Sequence, residues 1–237
     1  MNRQQFEAQL QKKGIVLSPR QRDQFKRYYE LLIQHNQRIN LTAITDEGEV
    51  YLKHFYDSLT PLFELEYRLP QEGALCDVGA GAGFPSIPLK IVRPDLKLVI
   101  VDSLKKRIDF LNQLIDALAL KGVEAIHARA EEYVQEAREA FDVVTARAVA
   151  RLNILVELCL PLVKVGGACI ALKGASGEEE LTEARRAIET LGGSCQSVVS
   201  FKLPENGGKR TLIVIEKRRH TPPKYPRPFG QIKKKPL

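Results

Sequence analysis

The stretch 75-LCDVGAGAGFPSIPLK-90 puts three glycines, Gly79, Gly81 and Gly83, on alternate positions directly behind a short apolar run. A glycine turn between a strand and a helix lets the backbone come close to a ligand. The spacing separates the ligands that use such turns. The dinucleotide fingerprint G-x-G-x-x-G needs its third glycine at the position held by Phe84. A phosphate-gripping loop needs Gly-Lys-Ser/Thr, which the sequence lacks. Asp77, just ahead of the turn, would repel a pyrophosphate but attract the cationic amino end of S-adenosylmethionine (SAM). A purely structural corner would use the same glycines, so the rest of the chain has to decide.

From about residue 73 strand-like and helix-like segments alternate. GALCDVG is followed by a helix from Pro85, and LKLVIVD (96–102) by a helix carrying Leu104, Ile108, Leu111, Ile115 and Leu118 on one face. VEAIHA (123–128), FDVVTAR (141–147) and GGACIALKG (166–174) continue the series, with further helices through Leu160 and over Glu178–Leu191. Strands apolar nearly throughout and separated by helices specify a parallel sheet covered on both faces. The last two, SCQSVVSFKL and TLIVIEK, are joined only by PENGGKR. That is too short for a right-handed crossover, so they are expected to pair antiparallel. The expected fold is therefore α/β, with the layout of a class I SAM-dependent methyltransferase. It is Rossmann-like, a mostly parallel sheet closing with an antiparallel hairpin, with a small helical N-terminal region. Asp102 ends the second strand, where a carboxylate would accept hydrogen bonds from ribose hydroxyls. It could equally cap the helix that follows. Ala130-Glu131 occupies the loop that would border the adenine.

Three parts are expected: a helical region over 1–66, a SAM-binding domain over 67–217 and a basic, Pro-rich tail over 218–237. In the first, Ser18-Pro19 reads as an N-cap with proline at the first helical position, and Asp46 as a second cap. Phe25, Tyr28, Tyr29 and Leu32 share one face of the Ser18 helix, while Arg20, Arg22, Lys26 and Arg27 make the other basic. Cys76, Cys159, Cys169 and Cys195 sit singly in apolar segments and read as buried thiols, so neither a metal nor a disulfide is expected. No apolar run reaches the roughly 18 residues of a membrane span, which favours a cytoplasmic protein without a membrane partner. The net charge of +7 suits an anionic partner. Eight cations lie in 217-KRRHTPPKYPRPFGQIKKKPL-237 with no acid among them. Its prolines predict an extended tail, either solubilising or in contact with nucleic acid through its cations and the interleaved Tyr225 and Phe229.

The loop 145-TARAVAR-151 lacks the Asn/Asp-Pro-Pro-aromatic signature of exocyclic-amine methylation, and no cysteine nucleophile stands beside it. An acceptor that is already nucleophilic fits, such as guanine N(7). Its lone pair needs no general base, so no catalytic residue is assigned beyond a positioning role for Arg147. Alignment alone can supply about 7–11 kcal/mol. His54 and Asp57 have base-and-orienter spacing, but with no base required a capping or interdomain contact is the preferred reading.

The chain resembles the glucose-inhibited division protein B methyltransferases, the RsmG family, which make 7-methylguanosine in bacterial 16S ribosomal RNA. The resemblance is carried by 40-NLTAI-44, 54-HFYDSL-59, 77-DVGAGAGFPSIPLKI-91, 129-RAEE-132, 145-TARAVA-150, 156-VELCLPLVKVGG-167, 172-LKG-174 and 225-YPRPFG-230. Ser86 departs from the family's frequent glycine. The resemblance implies SAM contacts at Gly79, Phe84, Ala130, Glu131 and Arg147, to which the residues themselves add Asp77, Gly81, Gly83 and Asp102. It implies 16S rRNA or a small-subunit precursor as partner, and a monomer is expected. Phe84 has a second reading as core packing, and Arg147 as the partner of an acid such as Glu131. The competing functions are a methyltransferase of another RNA or a small molecule, a nicotinamide dehydrogenase, and a non-catalytic RNA-binding protein.

Overall fold

The computed structural model describes residues 1–65, 67 and 69–237. Its sheet contains β1 (Ala74–Val78), β2 (Lys97–Asp102), β3 (Val123–His127), β4 (Phe141–Arg147), β5 (Val163–Lys173), β6 (Gly193–Lys202) and β7 (Lys209–Lys217), in the order β3-β2-β1-β4-β5-β7-β6. β1 pairs parallel with both β2 and β4, so the order reverses beside it. In open parallel sheets ligands collect at the carboxyl ends of the strands at such a reversal. β7 runs antiparallel between β5 and β6, as the short PENGGKR connection requires.

The N-terminal region is built from α1 (Arg3–Lys12), α2 (Pro19–Ile39) and α3 (Glu47–Val50), a π-helical turn over Tyr51–Tyr56, and α4 (Asp57–Leu59). Ser18 starts α2 with a reciprocal capping box. Its hydroxyl accepts the Gln21 N–H at 3.3 Å, and the Gln21 side chain accepts the Ser18 N–H at 2.8 Å. Asn40, in the left-handed conformation at φ 48°, ends it. Asp46 caps α3 as expected. The sheet is covered by α5 (Ser86–Val92), α6 (Lys105–Ala117), α7 (Ala130–Ala137), α8 (Leu152–Cys159), α9 (Gly177–Thr190) and α10 (Phe229–Lys234). Leu104 precedes α6 instead of joining its inner face, and is 41% exposed.

Two apolar layers result. On one face Phe6, Phe25, Tyr28 and Phe55 from the N-terminal helices merge with Phe84, Leu111 and Leu212 into one continuous core. The helical region therefore has no separate core of its own. Its expected boundary after position 66 falls on a residue outside those described. On the other face α7, α8 and α9 pack against β1, β4, β5 and β7 through residues such as Val134, Leu155, Ile188 and Ile213.

The C-terminal segment corrects the expectation of an extended tail. Tyr225 and Ile232 are buried in the second core, and α10 forms where the prolines end. Arg227 forks onto the fully buried Glu157 of α8, Nε to Oε1 at 2.8 Å and an Nη to Oε2 at 2.6 Å. Lys217 is no tail residue either. It is fully buried, donates to the carbonyl of Leu160 at 2.6 Å and pairs with Glu139 at 3.1 Å. The proline count gave the chain path and missed the apolar anchors. Cys76, Cys159 and Cys169 are buried, whereas Cys195 is exposed on edge strand β6.

Candidate active site

The turn after β1 bends through positive φ at Gly79 (71°), Gly81 (61°) and Gly83 (100°), which explains the alternation. Neighbouring atoms add a steric requirement at Gly79 and Gly83 but not at Gly81. A side chain at Gly83 would meet the Tyr28 hydroxyl at 2.8 Å and Ile87 at 2.7 Å, so glycine there seats the turn against α2. A Cβ at Gly81 would meet nothing within 4 Å among the described residues, so the space before it is open. Its amide donates to Asp102 Oδ2 at 3.1 Å, while Asp102 Oδ1 accepts the Leu104 N–H at 2.9 Å. Asp102 thus ties the glycine turn to Leu104, the residue before α6, while lining the pocket; α6 itself starts without a side-chain cap, so the N-cap reading of Asp102 does not hold. Arg107 reaches the same carboxylate at 3.3 Å from the solvent side.

A pocket of about 360 Å³ opens here, lined among others by Gly79, Asp102, Ala130, Glu131, Val149 and Phe229. It fits SAM in its donor set, with an approachable backbone turn and two carboxylates able to accept from hydroxyls and amines. Asp77 does not face this pocket. Its fully buried carboxylate accepts the Ser86 N–H at 3.1 Å at the start of α5. Burial pushes it up to about 7, against the opposing pull of Ser86 and Arg147. Asp77 Oδ1, Ser86 Oγ and Thr145 Oγ1 are buried without a hydrogen-bond partner among the described residues. Phe84 also turns inward. Its ring is 5% exposed and stacks on Tyr28 at 5.4 Å and on His54 at 4.5 Å, the core-packing reading.

Arg147 leaves the end of β4 on the other side of the same loop. It donates to Asp57 Oδ2 at 3.0 Å, to the Lys53 carbonyl at 3.1 Å and to His54 Nδ1 at 3.2 Å, and its guanidinium lies 4.9 Å from the Phe84 ring centre. Its acid is therefore Asp57, not Glu131, which lies 3.9 Å from Arg129. Asp57 also takes Arg210 Nε at 3.0 Å, so one carboxylate clamps the N-terminal region to β4 and β7. His54 and Asp57 make the interdomain contact preferred for them, with Arg147 between the two. Burial, then Arg147, holds the His54 imidazole down to about 3, so it is neutral. With Nδ1 accepting from Arg147, Nε2 carries the proton and donates to Thr42 Oγ1 at 2.8 Å.

A second pocket of about 510 Å³ is lined by these residues and by Lys53, Arg151, Lys173 and Arg210. Five cations face two carboxylates, Asp57 and Glu180, which favours an anionic occupant. The two pockets share Ala148 and Val149. Ala148 has φ 58°, and a side chain at Gly79 would touch Val149 at 2.8 Å, so this loop is the wall between them. Lys173 holds the loop by donating to the Ala150 carbonyl at 2.5 Å. It also pairs with Glu180 at 2.8 Å, which accepts the Leu152 N–H at 2.9 Å. Sequence reasoning assigned no role to Lys173, Glu180 or Arg210. Only Lys173 carried a signal, inside 172-LKG-174.

A glycine turn at the sheet's reversal point, an acid closing β2 and an antiparallel β7 define a SAM-dependent methyltransferase fold. A SAM-dependent methyltransferase structure from Aquifex aeolicus shares it at TM-score 0.54 and 18% identity, covering 74% of this chain and 96% of that one. More particularly, the chain belongs to the rRNA small subunit methyltransferase G (GidB) family, whose model matches residues 21–213. Ribosomal RNA small subunit methyltransferase G of Staphylococcus carnosus is 58% identical over 96% of this chain and 95% of its own length. The protein of the same name from Staphylococcus saprophyticus is 57% identical over 97% and 95%. The dehydrogenase and non-catalytic readings fall with this membership.

Proposed function

We propose that the chain transfers the methyl group of SAM to N(7) of a guanine in 16S ribosomal RNA. The observation that carries the reading is the pair of adjoining pockets sharing the Ala148-Val149 wall: one reaches the glycine turn at Gly79 and balances Asp102 and Glu131 against Arg107 and Arg129, and the other carries an excess of cations. SAM supplies an electrophilic methyl group on a sulfonium. In this reading Gly79 and Gly81 give it close backbone approach, Asp102 and Glu131 accept its polar hydrogens, and Ala130 lines its adenine end. Asp77, Gly83, Phe84 and Arg147 act from behind, fixing the turn and the wall rather than touching the cofactor.

On the acceptor side, N(7) carries no proton, so no base is needed. Neutral His54 suits this, since it is already committed at both nitrogens. Methylation makes the guanine cationic, and a bare guanidinium beside it would oppose the product. Arg147 is not bare: it is bound by Asp57, which it shares with Arg210, and by the Lys53 carbonyl and His54, so its donors are turned away from a base in the pocket. Lys53 and Arg151, with 33% and 51% side-chain exposure and surface ion pairs to Glu49 and Glu183, are the cations that in this reading exchange those partners for RNA phosphates. No helix among the described residues is long and apolar enough to cross a membrane. A cytoplasmic monomer acting on the RNA or on a small-subunit precursor completes the proposal. Incubation with labelled SAM and, in parallel, 16S rRNA and small-subunit precursor particles, followed by nucleoside digestion, tests it. Labelled 7-methylguanosine is expected, and label in any other nucleoside, or in none, would overturn it.

A further inference from the structure

The packed C-terminal segment brings an aromatic ring to the cofactor pocket. Phe229 is half-buried and lines the same pocket as Gly79, Asp102, Ala130 and Glu131. It is held in place from both sides. Before it, Arg227 is forked onto Glu157, its backbone N–H adds a third bond to Glu157 Oε1 at 2.9 Å, and Tyr225 is buried. After it, Ile232 of α10 is fully buried in the second core. Glu157 is the neighbour of Leu158, which also lines the pocket. The Arg129 guanidinium lies 5.9 Å from the Phe229 ring centre, joining the ring to the start of α7, whose first turn, not the expected loop, carries Ala130 and Glu131. Such anchoring exceeds what a solubilising extension requires.

We propose that Phe229 is the aromatic wall against which the adenine of SAM lies, and that residues 225–234 form a strap delivering it. This rests on the SAM reading above. With the ribose at Asp102, the adenine extends toward Ala130 and Glu131, the end of the pocket where Phe229 and Leu158 stand. A flat base gains most from a flat ring, and a half-buried phenyl fixed on both sides is already ordered for it. Of the segment's aromatic residues, Tyr225 is spent in the core, so its contribution to the ligand is Phe229.

Calorimetric titration of SAM and of S-adenosylhomocysteine into wild type and Phe229→Ala tests the assignment, with thermal melts to establish that both are folded. Affinity for both ligands should fall about 5- to 150-fold, the factor typical of losing one base–aromatic stack. Phe229→Tyr should bind like wild type. Should Phe229→Ala fail to fold, Phe229→Leu keeps apolar packing without the ring and should still lose affinity. Hydrogen exchange gives a second readout. Bound S-adenosylhomocysteine should slow the amides of residues 229–232 in wild type but not in Phe229→Ala, while saturating ligand protects 79–83 in both. Wild-type affinity in a folded alanine or leucine variant, or unchanged exchange at 229–232, overturns the strap alone. Failure of wild type to bind either ligand overturns the SAM reading and the strap together.

Discussion

Replacing His54 by glutamine should remove most of one proton's worth of acid sensitivity. The imidazole ordinarily titrates at 6.5 and is held at about 3 in the fold. As pH falls below 6.5 the unfolded chain gains a proton that the native chain refuses until about 3, so native stability declines over that window. Each pH unit is worth 1.36 kcal/mol, and pH 5 lies 1.5 units below 6.5, so His54 costs about 2 kcal/mol there relative to pH 8. Asp77 works in the opposite sense. Raised from 3.8 to about 7, it takes up its proton in the native state first, so acidification through that range favours the fold. The wild-type profile alone therefore mixes two opposed terms, but Asp77 is common to both proteins and cancels in the comparison. Urea unfolding at pH 8 and pH 5 supplies the four numbers required. Wild type should lose about 2 kcal/mol more than His54→Gln between the two conditions. Equal losses would mean that His54 is protonated in the native state, and the neutral hydrogen-bonding assignment between Thr42 and Arg147 would be wrong.

Gly81→Val should abolish calorimetric SAM binding while costing the fold roughly 1–2 kcal/mol for a left-handed non-glycine residue, since an added Cβ meets no described neighbour within 4 Å. Retained affinity in the folded variant would move the cofactor elsewhere. Asp102→Ala should weaken SAM by about 1–3 kcal/mol; unchanged affinity would leave Asp102 a structural part, bonded to Gly81, Leu104 and Arg107. Arg227→Ala strands the fully buried Glu157 and should cost about 3–5 kcal/mol in urea unfolding, partly recovered by adding Glu157→Gln. A double variant no more stable than the single would mean that Glu157 is not left charged. Lys53→Glu with Arg151→Glu should lower RNA affinity and flatten its salt dependence, by about 0.7–0.9 in slope for each phosphate that is no longer neutralised. An unchanged slope in filter binding would place the RNA on another surface.

The sheet was legible because its signals are local: apolar runs, helix periodicity, and a connection too short to cross over. Gly79, Gly81 and Gly83 were legible for the same reason, since positive φ leaves few alternatives to glycine. The side-chain directions were not. Asp77 sits in a strand, where adjacent residues face opposite sides, and only the placement of α5 decides that its carboxylate meets Ser86 instead of the pocket. Phe84 and Arg147 are turned by partners about 30 and 90 positions away, which no spacing rule reaches. The C-terminal segment misled because prolines and lysines dominate its composition. What fixes it is three residues, Tyr225, Arg227 and Ile232, whose sockets lie in other parts of the chain.

The continuous core beneath the N-terminal helices bears on the order in which the protein can be made. Phe6, Phe25 and Tyr28 leave the ribosome first, yet the surfaces that cover them include Phe84, Phe110 and Leu111, and the same core closes with Leu203, Leu212 and Val214 near the other end of the chain. Segments usually gain structure during synthesis only once their own core is complete. For these helices that moment comes after about nine-tenths of the sequence has been translated. Until then their aromatic faces stay open, and a nascent chain stalled short of β7 would present a sticky helical surface to whatever chaperone is nearest.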